Sequence, residues 1–271
     1  MRIGLLGGGT IGRLIFEHIR QGALPGMEVA AVAGRSPASR ARALAESFGV
    51  PYTSNPETLT DYSPQVIVES ASHEAVRDYV EGYLARGIDV IVLSAGALAD
   101  DELRERLIAT AEASGAQLWV PSGGIGGLDA LKAAVQAGVD SVVIVIRKPP
   151  AAWRDIPYVE ELGVDLEALR QPVDLYAGPT RRGVALFPQN VNIAAALSLA
   201  GIGFDQTEMR VVADPTVTHN THRIEVSGRT GRFAITLENV PSPDNPKTAW
   251  LACYSALAAL AQYARPFRVG T

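Results

Sequence analysis

Short apolar runs alternate with amphipathic stretches along the first 120 residues of this 271-residue chain. The apolar runs predict strands at Ile3–Leu6, Val29–Ala33, Val66–Val68, Val90–Leu93 and Leu118–Val120. Apolar residues at helical spacing predict helices at Ile11–Ile19, Ser36–Phe48, His73–Ala85 and Asp101–Ala113. Because the strands are apolar at consecutive positions, we expect both of their faces to be buried. This pattern predicts an α/β fold with a doubly wound parallel sheet.

The pattern changes after Pro121, where strands and helices no longer alternate regularly. It predicts helices at Leu128–Ala137 and Asn192–Ala200, an irregular segment at Lys148–Gln171, and strands at Val142–Ile146, Met209–Ala213, His222–Val226 and Phe233–Glu238. The loop Ser227–Gly231 predicts a hairpin between the last two strands. We therefore predict a smaller α+β domain with a mostly antiparallel sheet, used for substrate binding and dimerisation.

A strongly apolar stretch, Thr248–Ala264, predicts a C-terminal helix that needs a large surface to pack against. We expect this helix to pack back on the first domain or to lie at a subunit contact. The predicted boundaries are residues 1–121 for the α/β domain, 122–245 for the α+β domain and 246–271 for the helix.

Composition narrows the class of protein. The formal net charge of −5 gives no electrostatic footprint for a nucleic acid or an anionic membrane, so we expect neither partner. No run is long and apolar enough to span a bilayer, and the first residues do not form a signal peptide. The single cysteine, Cys253, excludes an internal disulfide and a Cys-rich zinc site, and its apolar surroundings predict a buried thiol. We expect a cytoplasmic protein without a metal site.

Three glycines, Gly7, Gly9 and Gly12, follow the first predicted strand and lead into a helix. At this spacing the first glycine permits a tight turn, the second lets a pyrophosphate approach the backbone, and the third lets the helix pack closely on the strand. Thr10 and Ile11 lie where free N–H groups of the helix favour an anion. Glycines also form ordinary turns, so the prediction depends on this placement. It predicts a Rossmann-type dinucleotide-binding domain with these five residues at the cofactor.

The residue after the second predicted strand selects between the two nicotinamide dinucleotides. An acidic residue there would bind the ribose 2′-hydroxyl of NAD, but this chain has Arg35. An arginine can pair with the 2′-phosphate of NADP, and Ser36 can donate to it. The alternative is a solvated loop residue. We predict NAD or NADP as the cofactor, with NADP accepted.

Candidate proton acceptors are few, because the chain has four histidines. His18 fits a structural or exposed position on the first helix. His73 follows the strand at Val66–Val68, and ligands bind at strand carboxyl ends in such sheets, so it is a substrate candidate. His219 and His222 precede a strand of the second domain, and their spacing alone does not choose between them.

Several motifs in order along the chain resemble the L-aspartate dehydrogenase family. They are Gly7–Gly12, Pro121–Ala130, Arg147–Pro150, Phe187–Asn192, Ala213–Pro215, Asn220–Glu225 and Glu238–Thr248. The resemblance covers nearly the whole chain. It implies that His222, and not His219, is the catalytic histidine. It also implies cofactor contacts at the backbone of Gly124, where the family usually has alanine, and at Asn190.

The resemblance implies oxidation of L-aspartate through iminoaspartate to oxaloacetate and ammonia, or the reverse reaction, linked to NAD biosynthesis. The substrate carboxylates need cationic or N–H donors, for which Arg147 and Lys247 are weak candidates. Asn192 is a further candidate that could orient the substrate or cap a helix. Alternatives are an enzyme similar to dihydrodipicolinate reductase or homoserine dehydrogenase, and a non-catalytic dinucleotide sensor. We expect a homodimer.

Overall fold

The structure is a computed structural model that describes residues 1–188, 191–242, 245–267 and 269–270, without the side chains of residues 245–248. It divides into two compact units. The first unit contains Met1–Pro121 and most of the C-terminal helix, from Cys253 on. The second unit is built mainly of Ser122–Ala252.

The first unit contains a six-stranded sheet whose strands are all parallel. The strands are β1 Arg2–Leu6, β2 Glu28–Ala33, β3 Tyr52–Thr53, β4 Val66–Glu69, β5 Asp89–Val92 and β6 Leu118–Trp119. Their order, β3-β2-β1-β4-β5-β6, reverses direction between β1 and β4. This is the order of a Rossmann-type doubly wound sheet, so the predicted fold class is confirmed.

The helices of the first unit connect successive strands. They are α1 Thr10–Arg20, α2 Arg40–Phe48, α3 His73–Ala75, α4 Glu81–Leu84 and α5 Asp101–Ser114. The π-helical turn Val76–Val80 joins α3 to α4, and 3₁₀ turns lie at Pro56–Tyr62 and Ala95–Ala99.

Helix α2 begins at Arg40, so the predicted start at Ser36 was wrong. Ser36 and Ser39 are both favoured capping residues, but the Ser36 carbonyl accepts from the Ser39 amide at 2.9 Å and closes a turn before the helix. The Ser39 hydroxyl then accepts from the Ala41 amide at 3.2 Å, so Ser39 is the cap.

A hydrophobic cluster forms a large part of the core of the first unit. It includes residues of β1, α1, β2, α2, β4 and β5 together with four buried residues of the C-terminal helix, Cys253, Leu257, Ala259 and Leu260. Burial of these large apolar side chains stabilises the unit by roughly 1.5–3 kcal/mol for each leucine. Cys253 is fully buried, as predicted.

The second unit contains a five-stranded mixed sheet and a two-stranded sheet. The strands are β7 Val139–Lys148, β8 Val173–Pro179, β9 Thr207–Ala213, β10 Asn220–Gly228, β11 Gly231–Asn239, β12 Pro241–Ser242 and β13 Asn245–Ala249. The large sheet has the order β11-β10-β7-β9-β8, and its β7–β9 pair is parallel while the other pairs are antiparallel. Strands β10 and β11 form the predicted hairpin, with Gly228 opposite Gly231.

The remaining helices are α6 Leu128–Ala137, α7 Pro157–Glu161, α8 Thr180–Leu186, α9 Asn192–Ala200 and α10 Trp250–Ala264, and a 3₁₀ turn lies at Pro150–Trp153. Helix α10 begins at Trp250 and not at Thr248, because Asn245–Ala249 pairs with β12 as strand β13. Helix α7 lies within Lys148–Gln171, which was predicted to be irregular, and strand β8 and helix α8 were not predicted either. Gly178, Pro179 and Gly183 interrupt the sequence patterns of β8 and α8.

Each of the helices in the described ranges is too short or too polar to cross a membrane.

Candidate active-site residues

The glycine turn follows β1 and has the geometry of a phosphate cradle. Gly7 has φ of +114°, and a Cβ added to it would lie 2.9 Å from the Ser70 carbonyl oxygen. A Cβ on Gly12 would lie 3.0 Å from Leu44, so this glycine lets α1 approach its neighbours closely. A Cβ on Gly9 would meet no atom of the described residues within 4 Å, so they leave open space over the turn. The local geometry at these three glycines is therefore compatible with a dinucleotide-binding turn.

The start of α1 is suited to an anion. Gly9 is its N-cap and supplies no side-chain acceptor, and Thr10 and Ile11 are the first two helical residues. The first turn of α1 contains no acidic side chain. Free N–H groups and the helix dipole therefore favour a phosphate there, so these residues fit a bound dinucleotide.

Gly8 has a structural role that the motif alone does not reveal. A Cβ on Gly8 would lie 2.1 Å from the Ala41 amide nitrogen, which is much closer than non-bonded atoms can approach, so no residue with a side chain fits there. The turn therefore packs directly on the start of α2. The signal in the sequence was the run of three glycines, Gly7 to Gly9, where the motif needs two.

Arg35 and His73 lie beyond the carboxyl ends of β2 and β4. Arg35 is exposed, one residue after the buried Gly34. His73 is the first residue of α3, after the N-cap Ser72, and is half-buried. Both belong to the sheet edge where ligands bind in doubly wound folds.

His222 lies on β10 of the second unit and is 2% exposed. Its Nδ1 atom lies 3.1 Å from the Gly124 carbonyl oxygen, which also accepts from the Asn239 amide nitrogen at 2.9 Å. The Asn239 amide nitrogen also lies 3.0 Å from Nδ1, but it already donates to the Gly124 carbonyl. Because that carbonyl oxygen can only accept, we assign the ring proton to Nδ1, from which it is donated to the same oxygen. Among the described residues, no group hydrogen-bonds to the buried Nε2 atom. The neutral ring therefore presents a lone pair at Nε2.

The inner face of the large sheet changes from apolar to polar near His222. Along β10 and β7, Val226 pairs with Val142, Ile224 with Ile144 and His222 with Ile146. In the next row Asn220 pairs with Asn239, and Lys148 lies two residues beyond Ile146 on the same face of β7; all three are buried. We call these three residues the polar row. The polar row is the last row of this sheet face and lies next to the row that contains His222.

Burial, together with the positive charge of Lys148, lowers the pKa of His222 from 6.5 to about 4, against a smaller opposing effect of the Gly124 carbonyl. His222 is therefore neutral near pH 7. It can accept a proton there, which is what a general base requires.

This pKa makes folding stability depend on pH. His222 takes up a proton below about pH 6.5 in the unfolded chain but only near pH 4 in the folded chain. Its contribution to the free energy of unfolding is therefore fully present above pH 6.5 and decreases as the pH falls from 6.5 towards 4. We expect the free energy of unfolding to lose about 2 kcal/mol from this residue between pH 7.5 and pH 5. Urea unfolding of His222→Gln should lack this part of the decline, whereas His219→Gln, at an exposed histidine, should retain it. An equal decline in both variants would contradict the assignment.

Two protein-family models match this chain, one in the first unit and one mainly in the second. Residues 129–263 match the family model described as aspartate dehydrogenase, C-terminal, and residues 7–121 match that of the homoserine dehydrogenase NAD-binding domain. The L-aspartate dehydrogenase of Methanosarcina mazei is 43% identical over the full length of both chains. The chain belongs to the L-aspartate dehydrogenase family.

Two further relatives agree with this membership. L-aspartate dehydrogenase 2 of Bordetella pertussis is 46% identical over 78% of this chain and 79% of that protein. The crystal structure of aspartate dehydrogenase from Thermotoga maritima is 28% identical and superposes with a TM-score of 0.77, over 100% of this chain and 99% of that one. The chain is thus an NAD(P)-dependent amino-acid dehydrogenase.

Arg147 is one of the two cationic residues that were predicted to bind the substrate carboxylates. Arg147 lies on the opposite face of β7 from Ile146 and Lys148, and its guanidinium donates to the buried Asp214 carboxylate at 2.7 Å. Thr216 also donates to Asp214, and these contacts lower the pKa of that carboxyl despite the opposing effect of burial. The placement does not support Arg147 as a substrate ligand.

The structure describes two of the other predicted site residues, Asn192 and Gly124. Asn192 is the first residue of α9, and a Cβ on Gly123 would lie 3.3 Å from its neighbour Ile193. Gly124 lies against His222, because its Cβ would be 3.7 Å from the ring carbon Cε1. Asn190 and the side chain of Lys247 lie outside the described residues.

The three residues of the polar row were not predicted from the sequence as site residues. Lys148 continues the alternation Val142, Ile144, Ile146, and Asn220 continues that of Val226, Ile224 and His222. A period of two therefore placed both in the buried phase of their strands. Within the described residues, no cluster of histidine, cysteine and acidic side chains could hold a metal ion.

Proposed function

We propose that this dehydrogenase oxidises L-aspartate with NAD or NADP, giving iminoaspartate that water converts to oxaloacetate and ammonia, or runs the reverse reaction. The observation that carries the proposal is the buried Nε2 atom of His222, which has no hydrogen-bond partner among the described residues, in a chain of this family. A dinucleotide held at the glycine turn would supply the acceptor for the hydride that leaves the substrate Cα. We propose that the product serves NAD biosynthesis and that the protein is a homodimer.

His222 supplies the proton acceptor in this proposal. An amine must lose a proton from its ammonium form before its lone pair can assist departure of a hydride from the adjacent carbon. Nε2 takes that proton, and the Gly124 carbonyl stabilises the resulting imidazolium through Nδ1–H. After this proton has passed to solvent, Nε2 can take a proton from the water that adds to the imine carbon and give it to the nitrogen, which then leaves as ammonia.

The test is formation of NAD(P)H, followed by absorbance, on addition of L-aspartate. Homoserine and other amino acids are compared at equal concentration, because the NAD-binding half matches the homoserine dehydrogenase model. We expect the highest kcat/KM with L-aspartate. Absence of aspartate-dependent NAD(P)H formation would overturn the proposal, and absence of turnover with every substrate would favour a dinucleotide sensor.

We also propose that Arg35 admits the 2′-phosphate of NADP. Arg35 follows β2 and Gly34, and a Cβ on Gly34 would lie 2.5 Å from Ser39 Oγ, so the chain turns tightly there. Helix α2 then begins at Arg40 and has no acidic residue in its first turn. Two arginines near a helix N-terminus favour a phosphate.

Arg35→Asp should therefore raise the KM for NADP about 10- to 100-fold and that for NAD by much less, because an aspartate repels the phosphate but accepts from a 2′-hydroxyl. Initial rates with each cofactor measure the ratio. The matched control is Arg42→Gln, because Arg42 pairs with Glu46 at 2.8 Å on α2. Equal effects of Arg35→Asp on both cofactors would place Arg35 outside the site.

A further inference from the structure

The polar row contains a buried cation and a buried amide that the proposed proton transfer does not use. Lys148 is 3% exposed, and its ammonium lies 5.0 Å from the centre of the Trp153 ring. Asn220 is 2% exposed, and its Nδ2 atom has no hydrogen-bond partner among the described residues. A buried amide nitrogen without an acceptor is costly, and a ligand oxygen would relieve that cost.

We propose that Lys148 and Asn220 form a subsite for a carboxylate of the substrate, beside the proton acceptor His222. This inference rests on the proposed function and names the residues that recognise the dicarboxylate. The ammonium supplies the charge, and the amide supplies a directed N–H donor.

The sheet register supports this arrangement. His222 pairs with Ile146, two residues before Lys148, and Asn220 is two residues before His222 on the same face. Diagonal neighbours on one face of an antiparallel pair have Cβ atoms about 7–8 Å apart, which long side chains can span. One small dicarboxylate can therefore contact Lys148 through an oxygen and His222 through its amine.

The neighbouring charges agree with this assignment. The guanidinium of Arg147 is on the other face of the strand, where it neutralises Asp214. The positive charge of Lys148 contributes to lowering the pKa of His222, in agreement with their positions on one face of the sheet. The ring contact with Trp153, which is itself fully buried and donates to the Val212 carbonyl at 3.2 Å, helps to fix the ammonium in place.

The test compares Lys148→Met, Lys148→Arg and Asn220→Asp with the wild-type enzyme. We expect Lys148→Met to raise the KM for L-aspartate about 10- to 100-fold, because a charge-assisted hydrogen bond is lost, while the KM for the cofactor changes less than about twofold. Asn220→Asp should raise the KM for L-aspartate similarly, because it places a negative charge beside the carboxylate. Lys148→Arg should recover part of the affinity. The matched control is Lys132→Met, at an exposed lysine of α6.

Binding of succinate, measured by calorimetry in the presence of cofactor, separates this inference from the proposed function because it needs no turnover. We expect wild-type enzyme to bind succinate and Lys148→Met to lose most of that affinity. The inference is overturned if wild-type enzyme does not bind succinate. It is also overturned if folded Lys148→Met, checked by its urea midpoint, keeps the wild-type KM for L-aspartate and affinity for succinate. Failure of the wild-type enzyme to oxidise aspartate while it binds succinate through Lys148 would overturn the proposed function alone.

Discussion

Replacing His222 by alanine is expected to lower kcat with L-aspartate about 10²- to 10⁴-fold, which is the usual contribution of a positioned general base. The physical reason is that Nε2 is the buried proton acceptor on the inner sheet face, held by the Gly124 carbonyl through Nδ1. The dissociation constant of the cofactor should change less than about threefold, because the glycine turn belongs to the first unit. Steady-state kinetics and cofactor titration by fluorescence measure the two quantities.

The control for this prediction is His219→Ala. His219 is exposed three residues before His222, so it matches the residue type and the local sequence without the buried position. We expect its kcat to stay within about twofold of wild type. His222→Gln preserves most of the side-chain volume and separates loss of the base from a cavity in the core. Near-normal turnover in folded His222→Gln would exclude the role of His222 as the proton acceptor.

The fold of the first unit was predictable from the sequence because the patterns that specify it are local. Continuous apolar strands, a glycine turn after the first of them and intervening helices together specify a doubly wound sheet. The error at Ser36 arose where two residues with equal capping propensity compete within one turn. Only the contacts of Gly34 and Ala41 with Ser39 decide between them, and these depend on how β2 and α2 pack.

The second unit was less predictable because its site depends on register. Lys148, Asn220 and Asn239 are far apart along the chain, and they meet because β7, β10 and β11 pair in one particular register. Local sequence patterns cannot supply that pairing, so Arg147 was named as a candidate for its charge alone. The alternation of burial along β7 places Ile146 and Lys148 on its buried face and Arg147 on the opposite face.

Glu69 offers the largest expected effect on stability. It ends β4 and is fully buried, and its Oε1 atom accepts from the Ala71 amide at 2.7 Å, the Ser72 amide at 3.1 Å and the Ser94 hydroxyl at 2.9 Å. Its Oε2 atom accepts from the Ser94 amide at 3.0 Å. Burial raises the pKa of Glu69, although all four hydrogen bonds oppose that effect. One carboxylate thus joins the segments that follow β4 and β5.

Glu69→Ala should lower the free energy of unfolding by at least about 3 kcal/mol, because four donors lose their acceptor at a buried position. It should also weaken cofactor binding, because Gly7 packs on the Ser70 carbonyl that this carboxylate helps to position. Glu69→Gln should cost less than alanine, since the amide keeps one acceptor oxygen and removes a buried charge. Thermal unfolding and cofactor titration measure both effects.

The control is Glu74→Ala, because Glu74 is an exposed carboxylate on α3, five residues further along the chain. Its melting temperature and cofactor affinity should remain near those of wild type. If Glu69→Ala were as stable as Glu74→Ala, the four hydrogen bonds would contribute little. If it were unstable but bound cofactor with wild-type affinity, Glu69 would support only the core and not the glycine turn. The two measurements together therefore show whether this buried carboxylate links the stability of the sheet to its dinucleotide-binding edge.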